Sequence, residues 1–196
     1  MFPAHKGRYI MANNRSQSRY QSSKIAFCGL MVALSVTLML TGGLIPIATY
    51  CVPMFGGILL LPILLEYGKK TAWTAFAAAG IITLLMDTDK EAAFFYLFFG
   101  YYPLIKWDIE RIKSKQLRFC CKLLIFNASI VLMYTILGFL LNMQALVEEF
   151  TQMGGVLLIA FILVFDLCLM LYDRLLFPLI LLYVNRIQPK LKFLKK

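Results

Sequence analysis

The sequence predicts an all-α integral membrane protein: a bundle of six transmembrane helices with both termini on the cytoplasmic side. Three observations predict it. Of 196 residues, 61% are hydrophobic and 15% charged, more apolar side chain than one water-soluble core of ordinary proportions can hide. The charges cluster between uncharged runs, and the clusters alternate in sign. With six spans, eighteen of the twenty basic residues fall on the side assigned as inside, all but Lys90 and Arg174, whereas five of the ten acids fall outside. Adding or removing one span breaks that pattern.

Residues 87–106 anchor the assignment. Asp87, Asp89 and Glu91 stand at one end against Lys90, Lys106 opens the most basic loop at the other, and residues 92–105 carry no ionisable group except tyrosine hydroxyls. Such a run reads as a span whose acidic end faces out.

Taken in order, residues 1–24 carry Lys6, Arg8, Arg15, Arg19 and Lys24 among serines and asparagines, with no acid. They are expected to form a disordered cytoplasmic arm, and the apolar run behind them is far longer than the core of a cleaved signal peptide. The uncharged stretch 25–65 is 41 residues long, twice a span of ~20 residues. Gly42, Gly43, Pro46 and Pro53 divide it into a first span at 25–41, an outer loop at 42–50 and a second span from about 52 back to Glu66, Lys69 and Lys70. The third span, 71–86, is rich in alanine and contains Gly80, which suits close helix approach.

The fourth span, 92–105, is covered with aromatic residues on all faces, so one face at most stacks on a ligand and the rest meets lipid or neighbouring helices. Gly100 and Pro103 mark a kink in it. The charges from Lys106 to Lys122 are spaced as a short amphipathic surface helix. A fifth span covers 123–141, followed by Glu148 and Glu149. The sixth, 154–184, would measure roughly 46 Å at 1.5 Å per residue against a hydrocarbon core of ~30 Å. It therefore tilts, kinks near Pro178 or projects into the cytoplasm. The membrane domain thus spans 25–186, with a basic cytoplasmic tail at 187–196.

Little in the chain suggests bond-making chemistry. The five cysteines show no CxxC spacing and the one histidine, His5, lies in the polar arm, which speaks against a metal site, a cofactor or a Ser/His/Asp relay. Asp166 and Asp173 lie seven residues apart, roughly 10.5 Å along one helix, too far to share a proton as a catalytic pair. No enzyme is expected. The basic residues are not laid along one solvated face, so nucleic acid is not an expected partner, and anionic membrane lipid is. A carboxylate within a span needs a partner or a wet cavity. Asp166 either hydrogen-bonds a neighbour such as Tyr134 or Asn127, or meets a ligand, whereas Asp173 beside Arg174 marks the inner interface.

The six short spans, the inside ends and the basic amino-terminal arm together resemble the substrate-binding (S) component of energy-coupling factor (ECF) vitamin transporters. Gly29-Leu30-Met31-Val32-Ala33, with Ala26 one turn earlier, is similar to that family's AxxxA pattern in the first span, with glycine in place of the first alanine. The resemblance implies capture of a vitamin or related micronutrient from outside the cell (plasma) membrane. It implies as partners a coupling transmembrane subunit, docked on Gly29 and Ala33, and ATPase subunits; this chain has no GxxxxGK[ST] loop of its own. It also implies an outward-opening pocket under the first outer loop, with Tyr50, Tyr96, Asn127, Tyr134 and Asp166 as candidate substrate-binding residues. The alternative function is a structural or assembly membrane subunit without a small-molecule ligand. A secondary carrier has less for it, because the sequence shows neither an internal repeat nor several intramembrane charges on different helices.

Overall fold

The computed structural model describes residues 4–42, 48–87, 90–139 and 155–191. Among them all regular structure is helical: α1 (Ala4–Gly42), α2 (Ala48–Ile58), α3 (Leu61–Tyr67), α4 (Lys69–Met86), α5 (Lys90–Phe99), α6 (Tyr102–Glu110), α7 (Lys115–Phe139), α8 (Gly155–Leu182), a π-helical turn (Tyr183–Ile187) and α9 (Gln188–Leu191). Among the described residues, four helical segments are long and apolar enough to cross a membrane: Gln17–Gly42, Tyr50–Tyr67, Lys115–Phe139 and Ile162–Lys190. Large apolar side chains cover the outside, with Leu85 77% and Phe139 89% exposed, a surface that water does not favour. Both features are compatible with a multi-pass membrane protein.

The centre of the bundle is α5 with α6, packed against α2, α4 and α7. Phe95, Tyr96, Phe99, Tyr102 and Leu104 are all fully buried there. Of the two surroundings expected for the aromatic run, lipid or neighbouring helices, these five residues have the second. The rings find one another instead: Phe95 stacks on Phe99 with centroids 4.4 Å apart, Phe165 of α8 sits edge-on to both at 5.6 Å, and Phe76 of α4 lies 5.1 Å from Tyr96. An aromatic helix between four neighbours gains more contact than one exposed to acyl chains.

Two helices are broken, and they touch at their breaks. Pro62 and Pro103 stand in the first turns of α3 and α6, where each lacks the N–H that would continue the preceding helix and clashes with the carbonyl four residues back. Tighter bonds remain, from Leu60 N–H to the Gly57 carbonyl at 3.1 Å and from Leu104 N–H to the Tyr101 carbonyl at 2.9 Å. The kink expected at Gly100 is thus a full interruption between α5 and α6. A Cβ on Gly57 would lie 2.5 Å from the Gly100 carbonyl oxygen and 2.8 Å from its Cα, so the two backbones are in direct contact and only glycine fits. Gly68, with φ 82°, turns α3 into α4.

Three further expectations change, and the helix of the sixth apolar stretch runs on beyond it. Residues 4–24, expected as a disordered arm, form the first turns of α1: no proline lies between Pro3 and Pro46, and a helix already nucleated by apolar turns needs only propagation to extend. Tyr50, expected in the outer loop, lies in the first turn of α2, while residues 43–47 of that loop lie outside the described residues. No separate surface helix links the fourth and fifth apolar stretches, because α6 runs on to Glu110 and α7 starts at Lys115. Pro178 lies inside α8 without ending it, and helix continues to Leu191 of the expected tail. Glu148 and Glu149 lie outside the described residues.

Candidate functional site

We call the end of the bundle holding Lys69, Lys106 and Lys122 the basic end, and the end holding Asp87 and Glu91 the acidic end. At the basic end, side chains from α6, α7 and α8 converge. Tyr102, Lys106 and Glu110 recur every four residues and so share one face of α6. Asp173 Oδ1 accepts from the Tyr102 hydroxyl and the Lys106 ammonium, both at 2.6 Å, and its Oδ2 accepts from Lys122 at 2.5 Å. Lys106 also donates to the Asp173 carbonyl at 2.5 Å. Glu110 Oε1 completes the group, 3.3 Å from the Lys106 nitrogen and 3.8 Å from that of Lys122.

Two ammonium groups and two carboxylates sum to no net charge. The side chains of Lys106, Lys122 and Asp173 are 5%, 10% and 13% exposed. Taking them out of water is costly, and the cost is offset because each charge has an opposite partner and further hydrogen bonds. This corrects three readings of the sequence. Lys106 does not open a basic loop but is buried within α6; Asp173 does not simply mark an interface beside the exposed Arg174; and buried charges do stand on different helices. At the rim, Lys69 bonds Asp108, tying the start of α4 to α6, and this contact holds the Asp108 carboxyl below the usual carboxylate range.

At the acidic end the arrangement differs. Glu91, in the first turn of α5, accepts at Oε1 from the hydroxyls of Tyr50 on α2 at 3.0 Å and Tyr134 on α7 at 2.9 Å. Its sequence neighbour Lys90 turns away, donating to the backbone carbonyls of Leu84 at 2.9 Å and Asp87 at 2.7 Å. The Tyr50 ring stands edge-on to Phe95 at 5.5 Å.

Between the two ends, the Asn127 amide of α7 donates to both oxygens of Asp166 on α8, at 3.1 and 3.3 Å, and to the Leu123 carbonyl of its own helix at 3.0 Å. Asn127 also lines a shallow groove with Leu124, Ala128, Val131, Leu132 and Thr135. Tyr96 lies elsewhere, fully buried with its ring against Phe76. The five candidate binding residues therefore divide among three places: Tyr50 with Tyr134 around Glu91, Asn127 with Asp166, and Tyr96 apart. On α1, Gly29 and Ala33 are exposed, and a Cβ built on Gly29 meets nothing within 4 Å.

Sequence reasoning missed Tyr102, Lys106, Lys122 and Asp173 as a polar set inside the bundle, and Glu91 as the acceptor between two tyrosines. The signal available was helical phase. Lys122 precedes Phe126, Ser129, Met133 and Leu137 on the buried stripe of α7, and Asp173 lies among Leu169, Tyr172, Leu176 and Ile180 on that of α8. A charge that falls in step with an apolar stripe belongs inside.

Among the described residues no group of three or more His, Cys, Asp or Glu side chains is placed to hold a metal. No protein-family model matches the chain, and no curated protein or solved structure matches it.

Proposed function

We propose that the chain is the substrate-capture (S) component of an ECF-type importer. In this reading it is a six-span protein of the plasma membrane with both termini cytoplasmic, binding a vitamin or related micronutrient from outside and working with a coupling transmembrane subunit and ATPase subunits. The observation that carries the reading is the two-sided character of α1. One side packs on the bundle through Ser35, Val36 and Met39, with Ser35 donating to the Gly56 carbonyl at 3.0 Å. The other presents Ala26, Gly29 and Ala33 outward, a flat strip that admits the close approach of a partner helix.

Replacing Gly29 and Ala33 together with tryptophan tests it. The expected result is loss of the co-purifying coupling subunit and ATPases while the protein itself stays monodisperse; undiminished co-purification sinks the reading. Cysteines placed at Thr88 and Glu148 are expected to label from outside sealed cells, and one at Ser114 is not. A structural or assembly subunit is the second reading, favoured by the spread of the five candidate residues over three places. It differs in expecting no small molecule to stabilise the protein.

A further inference from the structure

Asp166 lies between the two ends of the bundle with no positive charge to answer it. It stands on α8 seven residues before Asp173, and its partner Asn127 stands on α7, five residues after Lys122 and seven before Tyr134. At 1.5 Å per residue the pair sits roughly 7–11 Å inside either end, on two segments long and apolar enough to cross a membrane. No ion pair joins Asp166 to a described lysine or arginine. Its donor is the Asn127 amide nitrogen, which serves both carboxylate oxygens and the Leu123 carbonyl. Those bonds use both amide hydrogens, so the pair has only acceptors left to offer: carboxylate lone pairs and the Asn127 carbonyl oxygen. An amide brings no charge, and a carboxylate at this depth calls for a counter-charge.

Asn127 also connects the half-buried Asp166 to open space. It lines the groove on the outer face of α7, about 560 Å³ in volume, whose other walls are Leu124, Ala128, Val131, Leu132 and Thr135. From Leu124 to Thr135 the groove follows the helix for roughly 16 Å, or three turns. Acyl chains would fill it but leave the carboxylate unanswered, because phospholipid headgroups stay at the surface. A second copy of α7 brings the same acceptors and no spare donor. A small molecule would be held on one side only in so open a groove. A helix fits its length, the small side chain of Ala128 admits close approach, and the acceptors select what that helix must carry.

From this we infer that the α7–α8 face docks a transmembrane helix of another protein, one bearing a lysine or arginine at mid-membrane depth. The helix lies along α7 over Ala128, and its basic group reaches past Asn127 to Asp166. The inference does not depend on the importer reading, whose docking strip lies on α1.

The test uses the full-length protein in lipid vesicles, with a donor fluorophore at its amino terminus. The probes are synthetic leucine–alanine transmembrane helices with an acceptor fluorophore, identical except for one central residue: lysine, leucine or glutamate. Energy transfer to the lysine helix is expected to saturate and to be displaced by the same helix without fluorophore, and the other two are expected to bind at least about tenfold more weakly, equivalent to ~1.4 kcal/mol. Asp166→Asn, which still accepts from Asn127, should cost the lysine helix a similar factor. So should Ala128→Trp, which fills the groove and leaves the carboxylate in place. Equal binding of the lysine and leucine helices overturns the inference, and so does undiminished binding by either variant. Binding of no helix would give the groove to acyl chains, and energy transfer between two copies of the protein that excludes the lysine helix would give it to self-association; each overturns the inference as well. The comparison of the three helices on the parent protein needs no variant, so a substitution that fails to fold leaves the test intact.

Discussion

At the basic end Asp173 meets lysines from two other helices at 2.6 and 2.5 Å, whereas at the acidic end Glu91 meets two tyrosines at 3.0 and 2.9 Å. Both carboxylates tie three helices together, and the geometry is equally good. They differ in charge. The Asp173 group cancels internally and is shut away, so it has nothing to offer a ligand and much to lose if one member goes. Glu91 is held by hydroxyls alone, with no ion pair to a described lysine or arginine. The fold is therefore tied at one end by paired charges and at the other by hydroxyls on a single carboxylate.

The largest effect is expected where the clamp is cut. Asp173→Asn leaves Lys106 and Lys122 with only Glu110 as counter-charge, and losing one partner of a buried ion pair costs about 3–5 kcal/mol. Unfolding by SDS titration in mixed micelles should show a loss in that range. A loss below ~1 kcal/mol would mean that water reaches the group. Next is the contact between the two broken helices. Gly57→Ala drives a methyl into the Gly100 backbone, and neither backbone yields as a flexible side chain would. A cost of about 1–3 kcal/mol is expected, as for overpacking elsewhere, with Gly57→Val worse; an unchanged midpoint for both would refute the contact.

The smallest effect belongs to Lys69 and Asp108, whose side chains are half exposed. Because the folded-state value of Asp108 is depressed, its contribution is present above the unfolded carboxylate value near ~3.9 and is lost as the pH falls through the lower folded value. Asp108→Asn should leave stability at neutral pH almost unchanged, and any difference should vanish in high salt. A clear loss that persists in salt would make this rim contact part of the clamp.

The sequence discloses these features unevenly, for physical reasons. Apolar length alone marks the stretches around α1, α7 and α8, because a long uncharged run has few fates. The partnership of Asn127 with Asp166 was also open to view, since polar groups in apolar helices must find each other. Tyr50 and Tyr134 could be named as candidates, but not the carboxylate between them, because a glutamate at the end of an apolar run looks the same whether it faces water or two tyrosines. Lys106 and Lys122 were hidden by counting charges. A count assigns each lysine to solvent, whereas their phase on α6 and α7 puts them on buried stripes. The central place of α5 was hidden too, since a helix aromatic on all sides suits lipid as well as protein by composition.

The contrast between the two ends is most directly tested by two double-mutant cycles on stability, one pairing Asp173→Asn with Lys122→Met and the other pairing Glu91→Gln with Tyr134→Phe. The account predicts a coupling of about 2–3 kcal/mol for the first, at the upper end for directly interacting groups. For the second it predicts below ~1 kcal/mol, as for hydrogen bonds between membrane helices. Equal couplings, or a larger one at Glu91, would contradict it, because the acidic end would then be a clamp of the same kind.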